Sequence, residues 1–195
     1  EIPCVLVDVA MDGDNVGEVS ADNEKASFEE VEHLIENGYC NIAMLSGKKM
    51  AQVSERRESG YKRALEKHGF RVREEWIVDC QFDQSTAMQK AMELKRRYPG
   101  IDAFFCASDG IAIGAIDGMM QLGMQVPQDV AVAGFDDFTV SKYIHGGITS
   151  VKQYPYEMGV ACANTVVSMI DGNRVPDWIP MEYKLMKRTS TKAKL

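Results

Sequence analysis

The chain has 195 residues, of which 45% are hydrophobic and 26% are charged, and its net charge at pH 7 is −7. This balance excludes an intrinsically disordered chain, and the acidic charge argues against binding to a nucleic-acid backbone by this chain alone. The absence of an apolar run near 18 residues excludes a membrane-spanning helix, so no membrane partner is expected.

Short apolar runs alternate with segments of helical period along the whole chain. The apolar runs predict strands at 2–8, 16–20, 41–46, 76–79, 101–107, 130–135, 148–151 and 179–186. The periodic segments predict helices at 24–37, 54–68, 84–98, 109–122 and 156–170. Gly38 and Gly69 follow the first two helices, where a left-handed C-cap belongs. Strands that alternate with helices indicate an α/β fold with an open parallel sheet flanked by helices.

The cysteine and histidine patterns do not indicate a metal or a cofactor. The five cysteines are an odd number without a C-x-x-C pair, which favours reduced thiols and a cytoplasmic location. The three histidines are scattered, and the acidic turn at 12–17 has Val16 where a calcium loop needs an oxygen ligand. Neither a phosphate-binding glycine loop nor a serine nucleophile motif is present, so we expect a protein that is not an enzyme.

Polar residues follow several predicted strands at the point where each strand ends. Ser108 and Asp109 follow the strand at 101–107, Asp136 follows the strand at 130–135, and Arg57 lies on the helix after the strand at 41–46. Open parallel sheets bind ligands beyond the carboxyl ends of their strands. Because Arg donates and Asp accepts hydrogen bonds, these residues suit a small polar ligand. The alternative is that Ser108 and Asp109 only cap a helix and that Arg57 and Asp136 only pair with each other.

Five segments of the chain resemble the LacI family of bacterial transcription regulators. The longest is SDGIAIGAIDGMMQLGMQVPQDVAVAGFDD at 108–137, and the others are HLIENGYCNIAMLSG at 33–47, RESGY at 57–61, ITSVKQ at 148–153 and KRTS at 187–190. Their order and spacing agree with the family over almost the whole chain.

The resemblance implies a type I periplasmic-binding-protein-like fold with two lobes and a small effector bound between them. A sugar or a sugar derivative is expected, and a purine, an amino acid or a sugar phosphate stays open as an alternative. In the family, the positions of Arg57 and Asp136 line the cleft, the position of Ser108 faces the ligand, and the position of Phe82 stacks on the effector in some members. For Asp109 a capping role is expected ahead of a ligand role.

The resemblance also implies a division of the chain. Residues 21–149 plus 177–195 are expected to form a nearly complete C-terminal lobe, and residues 1–20 plus 150–176 to form fragments of the N-terminal lobe. The family's helix-turn-helix domain is expected to be absent, so operator DNA would be bound only through that missing domain.

The helix at 109–122 is apolar on more than one face, which predicts burial on more than one side. Ala112, Ile113, Ile116 and Met120 are therefore expected at the interface of a homodimer, since relatives associate through this lobe. Two other functions remain open: a periplasmic or lipoprotein sugar-binding protein of the same fold, and a small α/β enzyme.

Overall fold

The structure is a computed structural model that describes residues 2–193, and it contains two β-sheets packed against helices. Within this range, strands form at Cys4–Val7 (β1), Val16–Ala21 (β2), Ile42–Ser46 (β3), Ile77–Asp79 (β4), Ala103–Cys106 (β5), Ala131–Asp136 (β6), Thr149–Lys152 (β7), Trp178–Met181 (β8) and Lys184–Met186 (β9). Helices form at Asn23–Glu36 (α1), Gln52–Lys67 (α2), Gln84–Arg97 (α3), Asp109–Gln121 (α4) and Pro155–Ile170 (α5). The predicted α/β class is confirmed.

The larger sheet has six strands in the order β4-β3-β5-β6-β7-β9. All neighbouring strands are parallel except β7 and β9, which are antiparallel. The residues of β3 and β5 are all buried, as expected for central strands covered by helices on both faces. The ring of Tyr61 on α2 stacks on Phe105 of β5 with centroids 6.1 Å apart, which joins this helix to the sheet.

The helix ends follow local sequence signals. Asp22 caps α1 by accepting a hydrogen bond from the backbone N–H of Lys25 at 2.9 Å. Gly38 and Gly69 follow α1 and α2 with φ of 90° and 75°, a conformation that costs glycine little. These features confirm the predicted start of the first helix and the predicted ends of the first two.

Two glycines allow the helices to pack in close pairs, α1 with α2 and α3 with α4. A Cβ atom at Gly60 of α2 would lie 2.1 Å from the carbonyl oxygen of Glu24. A Cβ atom at Gly114 of α4 would lie 2.2 Å from the carbonyl oxygen of Gln84. Neither distance is sterically allowed, so both positions require glycine.

The smaller sheet has three parallel strands in the order β1-β2-β8, and α5 packs against β1 and β2. This corrects the expected division at two strands. β7 lies in the larger sheet although 150–176 was assigned to the smaller lobe, and β8 lies in the smaller sheet although 177–195 was assigned to the larger one. The single strand predicted at 179–186 is two strands in different sheets, because the chain crosses from one sheet to the other between β8 and β9.

The helices in residues 2–193 include none with the length and apolar character needed to cross a membrane.

Candidate functional site

Three of the residues predicted for the site, Phe82, Ser108 and Asp136, lie at the carboxyl ends of strands of the larger sheet. Gly47 follows β3, Phe82 follows β4, Ser108 follows β5, and Asp136 is the last residue of β6. Since these strands are parallel, their ends form one edge of the larger sheet. Asp8, at the end of a strand of the smaller sheet, is connected to this edge by a hydrogen bond from Asn23. We call the space between this edge and the carboxyl end of β1 the cleft.

Arg57 on α2 is the centre of this edge, and its side chain is buried. Its Nε donates to Oδ1 of Asn23 at 2.9 Å, its Nη1 donates to the carbonyl oxygen of Ala107, and its Nη2 lies 3.5 Å from Oδ1 of Asp136. Its guanidinium also lies over the ring of Phe135, 3.7 Å from the centroid. Burial lowers the pKa of Arg57, and the carboxylate of Asp136 opposes this change. Arg57 is therefore a structural cation as well as a cleft residue.

Asp136 remains partly accessible, with 22% of its side chain exposed. Nε2 of Gln153 donates to its Oδ1 at 2.8 Å, so this oxygen is held by Gln153 on one side and by Arg57 on the other. Its backbone φ is 101°, a strained conformation for a residue with a Cβ atom. The second carboxylate oxygen accepts no hydrogen bond from residues 2–193 and can accept one from a ligand hydroxyl.

Two further cleft residues, Asn23 and Asp8, were not predicted. The buried amide of Asn23 accepts from Arg57 and donates from Nδ2 to Oδ1 of Asp8 at 2.9 Å. Asp8 directly follows β1 with φ of 58°, and burial raises its pKa while the bond from Asn23 opposes that rise. Asp8 thus brings a second carboxylate to the cleft from the smaller sheet. The sequence does contain a signal for Asp8, because Asp8 ends an apolar run just as Asp136 does.

Ser108 and Phe82 occupy different parts of the same edge. Ser108 is buried and its hydroxyl accepts from the backbone N–H of Ile111 at 3.3 Å, so it caps α4. It also follows Ala107, whose carbonyl oxygen holds Arg57. Phe82 is 39% exposed, has φ of 57°, and lies against Gly47, where a Cβ atom would be 2.1 Å from its ring. The ring therefore presents an accessible aromatic surface beside the strand ends.

Comparison with known proteins agrees with this architecture. The family described as "Periplasmic binding protein-like domain" matches residues 31–191. Catabolite control protein A of Priestia megaterium is 29% identical over 193 residues, which are 98% of this chain and 58% of that protein. The probable HTH-type transcriptional repressor ExuR of Bacillus subtilis is 32% identical over 170 residues, which are 87% of this chain and 51% of that protein. This chain belongs to the LacI family.

Solved structures of the family share the fold closely. The transcriptional regulator CelR in complex with cellobiose has a TM-score of 0.89 at 31% identity, over 95% of this chain and 58% of that chain. A LacI-family sugar-binding transcriptional regulator of Escherichia coli, complexed with phosphate, has a TM-score of 0.88 at 29% identity, over 98% of this chain and 69% of that chain. The LacI-family chain described here spans between half and three fifths of the length of the curated relatives named above.

Asp109 of the LacI-family chain is not available to a ligand, which corrects its less certain assignment to the site. Its side chain is fully buried, its Oδ2 accepts from the backbone N–H of Phe138 at 2.7 Å and from the hydroxyl of Ser141 at 2.5 Å, and its Oδ1 accepts from the hydroxyl of Ser150 at 2.6 Å. Burial raises the pKa of Asp109 to about 6, and these hydrogen bonds oppose the rise. Asp109 anchors the segment that follows Asp136.

The predicted interface residues on α4 divide into two groups. Ala112 and Ile116 are buried in the core of the chain itself, although Ile116 also lines a groove beside Met120, and their contact with a second copy stays a prediction. Ile113 is partly buried, and Met120 is 52% exposed. Because one face of α4 packs on its own sheet, the outer positions are the ones most accessible to a partner.

Proposed function

We propose that this chain is the effector-sensing part of a LacI-family transcriptional regulator and that its effector is a sugar or a sugar derivative. The observation that carries the proposal is the partly exposed carboxylate of Asp136, held in place by Arg57 and Gln153 at the edge where parallel sheets bind ligands. The net charge of this chain, −7, opposes binding to DNA. We therefore assign DNA binding to a helix-turn-helix domain outside this chain.

The chemistry of the cleft favours a ligand with several hydroxyl groups. Asp136 and Asp8 offer carboxylate acceptors from the two sheets, and the guanidinium of Arg57 already contacts Asn23, Ala107 and Asp136 with three of its five N–H donors. A neutral sugar supplies hydroxyl donors, and an aromatic side chain suits the apolar face of a sugar ring, whereas a carboxylate or phosphate ligand would be repelled by the carboxylates of Asp136 and Asp8. The cellobiose complex of CelR gives independent support for a sugar.

The first test is a screen of uncharged mono- and disaccharides, including cellobiose, by thermal unfolding followed by calorimetry. The informative variant is Asp136→Asn, because Asn keeps the shape and tolerates positive φ, while Ala would add backbone strain. Replacing a charged acceptor by a neutral one should weaken binding roughly five- to tenfold. Asp117→Asn, at a partly exposed position of α4 beside Gln84 of α3, is the matched control and should leave the affinity unchanged.

Arg57→Ala is a poor test of ligand binding, because the loss of Arg57 removes donors from buried Asn23 and from Ala107 and should destabilise the chain itself. Phe82→Leu removes the aromatic surface and should weaken the same sugar without unfolding the protein, since Phe82 is 39% exposed. If Asp136→Asn and Phe82→Leu both bind the sugar as tightly as the unchanged chain, the proposed site is wrong.

Self-association is a second part of the proposal. The outer face of α4 offers Met120, next to a groove of about 270 Å³ that is also lined by Met124 and Val126, and Tyr143 is exposed on a nearby segment. We expect a second copy of the chain to cover this apolar surface, with Ile113 at its margin. Met120→Glu should then weaken association measured by light scattering and leave thermal stability unchanged.

A cytoplasmic location remains a prediction from the cysteine content.

A further inference from the structure

Glu30 is an acidic residue in the interior of the protein. It lies on the inward face of α1 with Val31 and Leu34, and its exposure is 0%. Neither oxygen of its carboxyl group has a hydrogen-bond partner in the part of the chain that the structure describes. An ionised carboxylate in such a place costs many kcal/mol unless it is paired, so the group must lose its charge or gain a partner.

The surrounding charges belong to the cleft. Arg57 of α2 attracts the charged form of Glu30, while Asp109 of α4 and Asp136 of β6 repel it. Arg57 is already shared by Asn23, Ala107 and Asp136, so it neutralises Glu30 only in part. Burial raises the pKa of Glu30 well above its ordinary value, and the two aspartates add to the rise.

The other elements near Glu30 supply little compensation. The buried thiol of Cys106 on β5 has a pKa raised well above its usual value by burial, so it is neutral. On β7 and β9, which also pack against α1, the charged residues are Lys152 and Lys184. The ammonium group of Lys152 lies 4.8 Å from the ring centroid of Tyr154, and Lys184 is exposed. The cluster around Arg57 therefore contains more carboxyl groups than cations.

We propose that Glu30 is a buried proton-binding residue coupled to the Arg57–Asp136 pair, so that a change of charge at Asp136 changes the protonation of Glu30. A consequence, which rests on the proposed function, concerns the effector. A positively charged effector beside Asp136 would favour loss of the proton, a negatively charged one would favour its retention, and an uncharged sugar would change it least. The pH dependence of effector affinity would then report the charge of the effector.

The coupling can be measured on the complete chain without any effector. The side-chain carboxyl carbon of Glu30 is followed by ¹³C NMR as the pH is raised, and its signal is assigned by its absence in Glu30→Gln. We expect a midpoint well above that of exposed glutamates, which is about 4.3. Asp136→Asn should lower this midpoint by about half a pH unit or more, the scale of interaction between nearby charges in a protein.

Asp117→Asn is the matched control, since Asp117 is not among the charges that act on Glu30, and it should leave the midpoint unchanged. The proposal is overturned if Glu30 titrates with the exposed glutamates, or if Asp136→Asn and Asp117→Asn have equal effects. The titration of the unchanged chain decides the first point even if Asp136→Asn fails to fold. Loss of sugar binding in Asp136→Asn without a shift in the Glu30 midpoint would reject the coupling and leave the proposed function standing. A shift in the Glu30 midpoint without loss of sugar binding would support the coupling and reject the proposed function.

Discussion

Replacing Asp109 by alanine should destabilise the protein and loosen the segment beside Asp136. The change removes a fully buried acceptor for three donors, the backbone N–H of Phe138 and the hydroxyls of Ser141 and Ser150. A hydrogen bond to a charged group contributes roughly 1.5–3 kcal/mol, so the three bonds together contribute roughly 5–9 kcal/mol.

Part of this loss is offset, because the buried carboxylate itself is costly. The rise of the Asp109 pKa from 3.8 to about 6 is what remains after these hydrogen bonds have opposed the effect of burial, and it corresponds to a cost on the order of 3 kcal/mol for the ionised group with its donors in place. Removing the group relieves that cost but leaves three buried donors unsatisfied at about 1–3 kcal/mol each, so the net destabilisation expected for Asp109→Ala is on the order of a few kcal/mol. This is a large share of the 5–15 kcal/mol by which proteins are typically stable.

Urea unfolding at pH 7 measures this difference, with Asp109→Asn as the matched variant. The amide oxygen of Asn can accept from Phe138 and Ser141 while its amide nitrogen donates to the hydroxyl of Ser150. Asp109→Asn should therefore stay within about 1–2 kcal/mol of the unchanged chain. The reasoning is refuted if Asp109→Ala costs less than about 1 kcal/mol, or if Asn is as destabilising as Ala.

Two more predictions concern packing and pH. Gly114→Ala should destabilise the protein by at least about 2 kcal/mol in thermal unfolding, because the new Cβ atom would lie 2.2 Å from the carbonyl oxygen of Gln84. Gly100→Ala, with no atom within 4 Å of its Cβ position, should change stability by less than about 0.5 kcal/mol, and equal effects would show that the helices do not pack as described. The folded-state pKa of Asp109 is raised from 3.8 to about 6, so the stability from its bound proton is present below about pH 4 and lost as the pH rises through about 6. Unfolding free energies measured between pH 4 and 7 should therefore fall less steeply for Asp109→Asn than for the unchanged chain, and parallel curves would contradict the assignment.

The sequence predicts most of the larger sheet because its signals are local. The helix boundaries depend on caps such as Asp22 and on glycines such as Gly38, and the strands depend on continuous apolar runs. The sheet to which a short edge strand belongs has no local signal, since apolar content is the same in either case. The prediction therefore merged β8 and β9, which pair in different sheets.

For the site, the argument from strand ends identifies Asp136 and places Arg57 close to it, but it does not reveal how each is held. The buried bonds of Arg57 to Asn23 and Ala107 depend on the distance between α1, α2 and β5, which the sequence does not contain. The burial of Glu30 has the same origin, because its helix face becomes known only once the helices are packed.

The most direct test of the account is a crystal structure of the chain with the uncharged sugar that raises its melting temperature most in the screen. The account predicts that a sugar hydroxyl lies within about 3.2 Å of a carboxylate oxygen of Asp136 and that the sugar ring contacts Phe82. A sugar bound elsewhere, such as in the groove of about 850 Å³ along α2 that is lined by Glu58, Lys62 and Asp79, would contradict it.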